Sequence, residues 1–139
     1  AHVRIASSNA RMGLPEVSLG VIPGYGGTQR LAQIVGKGKA MEMVLTGGII
    51  DAEASLACGL VNQVVDQELL LETAHMMAGK IAKNAPTALA AALDSVLAGY
   101  SRDGFDVEIQ RFGQCFTTHD FKEGTTAFLE KRKPQFPGS

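Results

Sequence analysis

The chain has 139 residues, 45% of them hydrophobic and 19% charged. That length suits one domain or part of a larger one, and the charged fraction lies below the roughly 25% usual in soluble domains, which points to extra buried surface such as a subunit interface. Thirteen basic and 14 acidic side chains leave a net charge of −1, so no global field draws the chain to nucleic acid or to an anionic membrane.

No apolar run approaches the ~20 residues that cross a bilayer, and nothing at the start reads as a signal peptide. Cys58 and Cys115 form no CxxC pair and read as buried thiols of a reducing compartment. "AHVRIAS" alternates apolar Val3 and Ile5 with polar neighbours, like a strand already inside a sheet; the chain reads as one entered in its middle. Residues 3–6 are therefore predicted as a strand, 9–13 as a turn and 16–19 as a short extended piece. Pro23 and Gly24 fit a tight turn, proline fixing φ and Gly24 supplying a positive φ. Thr28 then caps a helix carrying Leu31, Ile34 and Val35 that stops at Gly36. A second helix over 39–46 buries Met41, Val44 and Leu45 before Gly47. Asp51 is a good N-cap for "AEASLAC", with Gly59 ending that helix.

"LVNQVV" reads as the last strand. Helices follow over 69–83, from Pro86 through "PTALAAALDSVLAG", over 105–116 and over 121–131, after which Pro134 breaks the chain. Phe105, Ile109, Phe112 and Phe116 fall in an i, i+4, i+7, i+11 row. Such a face ordinarily packs on its own domain; the alternative is a second subunit. An internal boundary is expected between Gly99 and Gly104, dividing residues 1–99 from a helical appendage over 100–139.

The stretch that invites a chemical reading is "MGLPEVSLGVIPGYGGTQRL", residues 12–31. It sets one carboxylate, Glu16, among Leu14, Pro15, Val17, Leu19 and Val21, then bends through two prolines and five glycines. Ionising a carboxylate in apolar surroundings is costly, which suits a group that must both give and take a proton. The plainer alternative is an exposed loop carboxylate. "GYGGTQ" is not a dinucleotide fingerprint, since Gln29 stands where the third glycine belongs, and "GKGK" lacks the remaining features of a phosphate loop. Both are explained by turn chemistry, although glycines also let backbone approach a ligand closely. His2, His75 and His119 show no metal-ligand spacing. Lys131, Arg132 and Lys133 read as a solvated helix end favoured by the macrodipole, with phosphate contact as the alternative.

Together these residues resemble a family. "FGxPExxLGxxPGxGGTQRL" is a hallmark of the crotonase superfamily, the enoyl-CoA hydratases and isomerases. The chain departs from it with Met12 for the usual aromatic and Leu14 at a variable, often polar, position. "LTGGIIDAEASLACGLVNQVV" and "DFKEGTTAFLEKRKPQF" resemble the family's following segment and the C-terminal helix of its short-chain hydratase branch. The resemblance covers essentially all 139 residues. It implies an α/β fold, the C-terminal part of a crotonase-like ββα spiral, followed by a helical C-terminal subdomain for trimer formation and coenzyme A contact.

It also implies an activity: hydration of 2-enoyl-CoA thioesters to 3-hydroxyacyl-CoA, a lyase reaction of fatty acid metabolism. Glu16 matches one of two catalytic glutamates, and Gly24 a glycine whose backbone lies beside the reacting water. Phe128 and Lys131 match positions lining the coenzyme A site, Lys131 at a phosphate. The family's two oxyanion-hole N–H donors and its other glutamate match no position here, which implies little activity for these residues by themselves. No metal or cofactor is expected beyond the coenzyme A that the substrate carries. The expected partners are an acyl-CoA thioester and further copies of the chain, as a trimer or hexamer. The expected setting is cytoplasmic, or mitochondrial in a eukaryote. Two other readings stand beside this one: an isomerase using a single glutamate, and a non-catalytic, self-associating fragment.

Overall fold

The computed structural model describes residues 1–100 and 104–139. The chain divides into two compact units, Ala1–Met76 and Met77–Ser139. The expected boundary near 99–104 includes residues 101–103, which lie outside the described residues; the helices flanking them belong to the same unit.

The first unit holds all four described strands. β1 (Ile5–Ser7) pairs parallel with β4 (Gln63–Val65), Ile5 opposite Gln63 and Ser7 opposite Val65. β2 (Arg11–Gly13) pairs antiparallel with β3 (Ile49–Asp51), Met12 opposite Ile50. The turn predicted over 9–13 therefore yields to a strand at its end, and β3 was not anticipated. Its signal is the β-branched pair Ile49–Ile50, hidden behind two glycines.

Between the strands run α1 (Gly27–Val35), α2 (Lys37–Thr46) and α3 (Ala52–Ala57). α1 and α2 meet over a core of Leu31, Ala40 and Met43, joined by Leu14, Val35, Ile50 and Leu60. The buried stripe of α2 differs from expectation: Met41 and Leu45 are exposed, whereas Ala40 and Met43 are buried. Small Ala40 lets α1 approach, and flexible Met43 fills the gap. Asp51 caps α3 as expected, its carboxylate accepting from the Ala54 N–H at 2.8 Å. Cys58 and Cys115 are free but only half-buried; Cys58 follows directly on the end of α3, with its Sγ 3.5 Å from the Ser55 carbonyl.

α4 (Leu70–Ile81) runs across the division between the units, and α5 (Pro86–Ala98), α6 (Gly104–Cys115) and α7 (His119–Leu129) make up the second unit. Pro86 occupies the first turn of α5, where its missing N–H costs nothing. An ion pair from Arg111 to Asp94 at 2.9 Å ties α6 to α5. Thr118 caps α7, accepting from the Phe121 N–H at 3.1 Å.

The aromatic row of α6 does not pack within its own unit. Phe105 is 83% exposed, and Ile109 and Phe112 are exposed too. Only Phe116 gathers rings, Phe112 edge-on at 5.0 Å and Phe121 tilted at 4.7 Å. On α5, Val96 and Leu97 are exposed as well.

What pins the second unit is Asp120, 1% exposed. Its carboxylate accepts from the Thr87 hydroxyl at 2.7 Å and the Gly138 N–H at 2.8 Å. The start of α5, the start of α7 and the C-terminal segment are thereby joined at one carboxylate. Burial raises the Asp120 pKa, but the hydrogen bonds from Thr87, Gly138 and Ser139 outweigh it and hold the group below the ordinary aspartate value.

Candidate active site

Glu16 lies on a single 3-10 helix, Pro15–Leu19, rather than on the extended piece anticipated. Pro15 opens the turn and Ser18 closes it, donating its hydroxyl to the Pro15 carbonyl at 2.8 Å. Gly20, left-handed at φ 75°, ends it. The turn sits against the α2–β3 corner: a Cβ on Gly47 would lie 3.5 Å from Val17 and 3.6 Å from Pro15.

Within this frame the Glu16 Oε2 atom is buried and has no hydrogen-bond partner. Among the described residues it is the sole buried side-chain oxygen or nitrogen in that condition. Buried polar atoms are nearly always satisfied, and an unpaired carboxylate oxygen is costly. Such an oxygen can accept a hydrogen bond from a donor brought to it.

Gly24 follows on the turn that leaves this helix. The Val21 N–H donates back to the Glu16 carbonyl at 3.3 Å, so the turn starts from Glu16's own backbone. Gly24 is exposed and does not carry the positive φ expected of it; Gly26 does, at φ 80°. Gly26 also replaces Thr28 as the N-cap of α1. A left-handed glycine turns the backbone into a helix within one residue, so Thr28 is already helical. Any side chain on Gly26 would come within 2.9 Å of the Arg30 guanidinium, which donates to the Tyr25 carbonyl at 2.7 Å. Gly27 is equally confined, its would-be Cβ 2.9 Å from Pro23 and 3.1 Å from Leu14. Leu14, Gly27, Leu31, Ile34 and Met43 line an apolar cleft of about 240 Å³ in the same unit.

Phe128 and Lys131 come together at the far end of α7. Phe128 is 83% exposed on the last turn. Lys131 donates its N–H to the Phe128 carbonyl at 3.3 Å, and the Arg132 N–H reaches the Ala127 carbonyl at 3.0 Å. These two bonds make a Schellman ending, whose left-handed position is ordinarily glycine. Here Lys131 occupies it at φ 54°, alone among the described non-glycine residues in having a positive φ. A side chain in that conformation costs roughly 1–2 kcal/mol.

What sequence reasoning did not find is the clamp behind Lys131. Arg132, read as one member of a solvated basic run, reaches Glu123 with Nη1 at 2.7 Å and Nη2 at 2.9 Å and Glu130 with Nε at 2.7 Å. The Gln135 N–H adds a bond to Glu123 at 2.7 Å. Hydrogen bonds from Arg132 and Gln135 lower the Glu123 pKa to about 2. An open cleft of about 370 Å³ beside the clamp is lined by His119, Lys122, Glu123, Thr126, Gln135 and Pro137. Among the described residues no group of His, Cys, Asp and Glu is placed to hold a metal ion, and no helix is long and apolar enough to cross a membrane.

Among the described residues, two two-stranded sheets stand with seven α-helices, and Glu16 lies ahead of a glycine turn. The family model for enoyl-CoA hydratase/isomerase matches residues 1–139, and the chain belongs to that family. It is 47% identical over 134 residues to the short-chain-enoyl-CoA hydratase of Clostridium acetobutylicum, covering 94% of this chain and 51% of that protein. It is 46% identical to the mitochondrial enoyl-CoA hydratase of Pongo abelii, covering 46% of it. The crystal structure of the Bacillus anthracis enoyl-CoA hydratase superposes with a TM-score of 0.95 at 41% identity, over 99% of this chain and 54% of that one. The fold is thus the expected C-terminal part of the crotonase architecture, and the chain spans about half the length of these relatives.

Proposed function

We propose that the chain carries one of the two acid–base groups of an enoyl-CoA hydratase, which adds water across a 2-enoyl-CoA double bond to give a 3-hydroxyacyl-CoA. The observation that carries this reading is the buried, unpartnered Glu16 Oε2. In hydration, a water donates a hydrogen bond to a carboxylate, its oxygen attacks the β-carbon, and a proton reaches the α-carbon. Glu16 is the group that holds the water and passes the proton, and the orphaned oxygen is where that water docks. The Gly24 backbone lies alongside. With no side chain, Gly24 lets substrate approach the main chain closely.

The negative charge that develops on the thioester oxygen needs N–H donors, each typically worth a factor of about 10²–10³ in rate. By family resemblance those donors and the second glutamate lie outside residues 1–139. Phe128 and Lys131 serve the coenzyme A end of the substrate, Lys131 at a phosphate. The exposed α5–α6 face suits further copies of the chain, in a trimer or a pair of trimers. The similarity to a mitochondrial and a bacterial hydratase supports a mitochondrial setting in a eukaryote and a cytoplasmic one in a bacterium.

The test is an assay of crotonyl-CoA hydration by residues 1–139 alone and by a fusion placing them behind the N-terminal half of the Clostridium acetobutylicum enzyme. The fusion is expected to form 3-hydroxybutyryl-CoA, and the chain alone to be at least ~100-fold slower. A fusion that folds and only shifts the double bond of a 3-enoyl-CoA is an isomerase instead. Full turnover by the chain alone would overturn the two-part site.

A further inference from the structure

Lys131 holds a conformation that favours glycine, so something must hold it there. Two tethers do so on its C-terminal side. Arg132, its neighbour, is drawn back onto α7 by the two-nitrogen bond to Glu123. Gln135, four residues on, is held to the same carboxylate through its N–H. Glu123 thus gathers both ends of the reversal that begins at Lys131. The Lys131 side chain itself makes no ion pair among the described residues and is exposed. A strained residue whose head group is left free, held by neighbours that are fully engaged, marks a position kept for a ligand.

We propose that Glu123 is a positioning residue: through Arg132 it holds Lys131 in the left-handed conformation and so sets where the Lys131 ammonium meets the phosphate of the substrate. This rests on Lys131 being the phosphate contact of the proposed hydratase. The pair acts by geometry and contacts no substrate itself.

Two measurements separate the clamp from that underlying assignment. In this chain, hydrogen exchange reads the Lys131 and Arg132 amides, which are bonded to Phe128 and Ala127. Glu123→Gln is expected to speed both about fivefold, the scale of a partly exposed ion pair, with amides in the middle of α7 within twofold. Arg132→Lys, which keeps the charge but loses the fork, is expected to act in the same direction. Unchanged exchange, or loosening of the whole helix, would overturn the clamp.

In the hydratase fusion, Lys131→Met is expected to raise KM for crotonyl-CoA about tenfold. Glu123→Gln is expected to raise it about fivefold with kcat within about twofold, and to add nothing once Lys131 is gone. With crotonyl-pantetheine, which has no phosphate, neither variant should move KM. Equal effects on both thioesters, or additivity with Lys131→Met, would make Glu123 merely structural. If Lys131→Met leaves KM unchanged while Glu123→Gln still frees the amides, the phosphate assignment fails and the clamp stands.

Discussion

Arg132 and Glu123 are nine residues apart in sequence and joined by two parallel nitrogen–oxygen contacts of 2.7 and 2.9 Å. That relationship decides the course of the chain beyond α7. It converts a basic run that would otherwise be solvated into a closed turn with Lys131 at its apex.

The clamp has a pH signature. The Glu123 pKa is depressed from 4.5 to about 2, so its contribution is fully present above pH 4.5 and is lost as pH falls toward 2. Asp120 is shifted in the same direction and strengthens the trend. Arg132 faces Glu123 and also pairs with Glu130, and Arg132 stays charged throughout. Acid titration followed by amide NMR should show the residues after Leu129 releasing within this window. Release already near neutral pH would contradict the assignment.

Asp120 joins three segments through one carboxylate. Asp120→Asn swaps an acceptor for an amide whose NH₂ group faces donors. It should lower Tm by several degrees and detach the Gly138 amide, seen as faster exchange there. Thr87→Val should do part of the same, whereas Glu108→Gln on exposed α6 should do neither.

Gly26 combines φ 80° with an Arg30 guanidinium 2.9 Å from any Cβ. Gly26→Ala should destabilise by about 1–2 kcal/mol from the left-handed backbone alone, read by urea denaturation. Arg30→Met relieves the contact but frees the Tyr25 carbonyl. In the fusion it should lower kcat more than it raises KM, since it loosens the turn bearing Gly24. An unchanged kcat would show that Arg30 does not act on that turn.

Much of this was legible in the residues. The spacing of Leu31, Ile34 and Val35, the proline opening of α5 and the Asp51 cap all foretold helices where they stand, because each depends on neighbours within one turn. Glu16 stood out for the same reason, as one carboxylate in an apolar stretch. The features missed depend on distance. Asp120 meets Thr87 across 33 positions, and nothing local announces it. Arg132 meets Glu123 across nine, hidden among other basic residues. The left-handed position fell to Gly26 rather than Gly24; both glycines offer the backbone the same freedom, so the residue types alone do not choose between them. Lys131 was marked as one of a basic run with phosphate contact as an alternative, and again by family resemblance; its strain is visible in the backbone alone.

The measurement that bears most directly on the whole account is crotonyl-CoA turnover by the hydratase fusion with Glu16 and with Glu16→Gln, alongside Tm and affinity for a non-reacting acyl-CoA. An acid–base group typically contributes about 10²–10⁴ in rate. The expected result is therefore a fall in kcat of at least ~100-fold, with affinity within about threefold and Tm unchanged. Turnover that survives the substitution, or is lost only together with the fold, would contradict the claim that Glu16 handles the water.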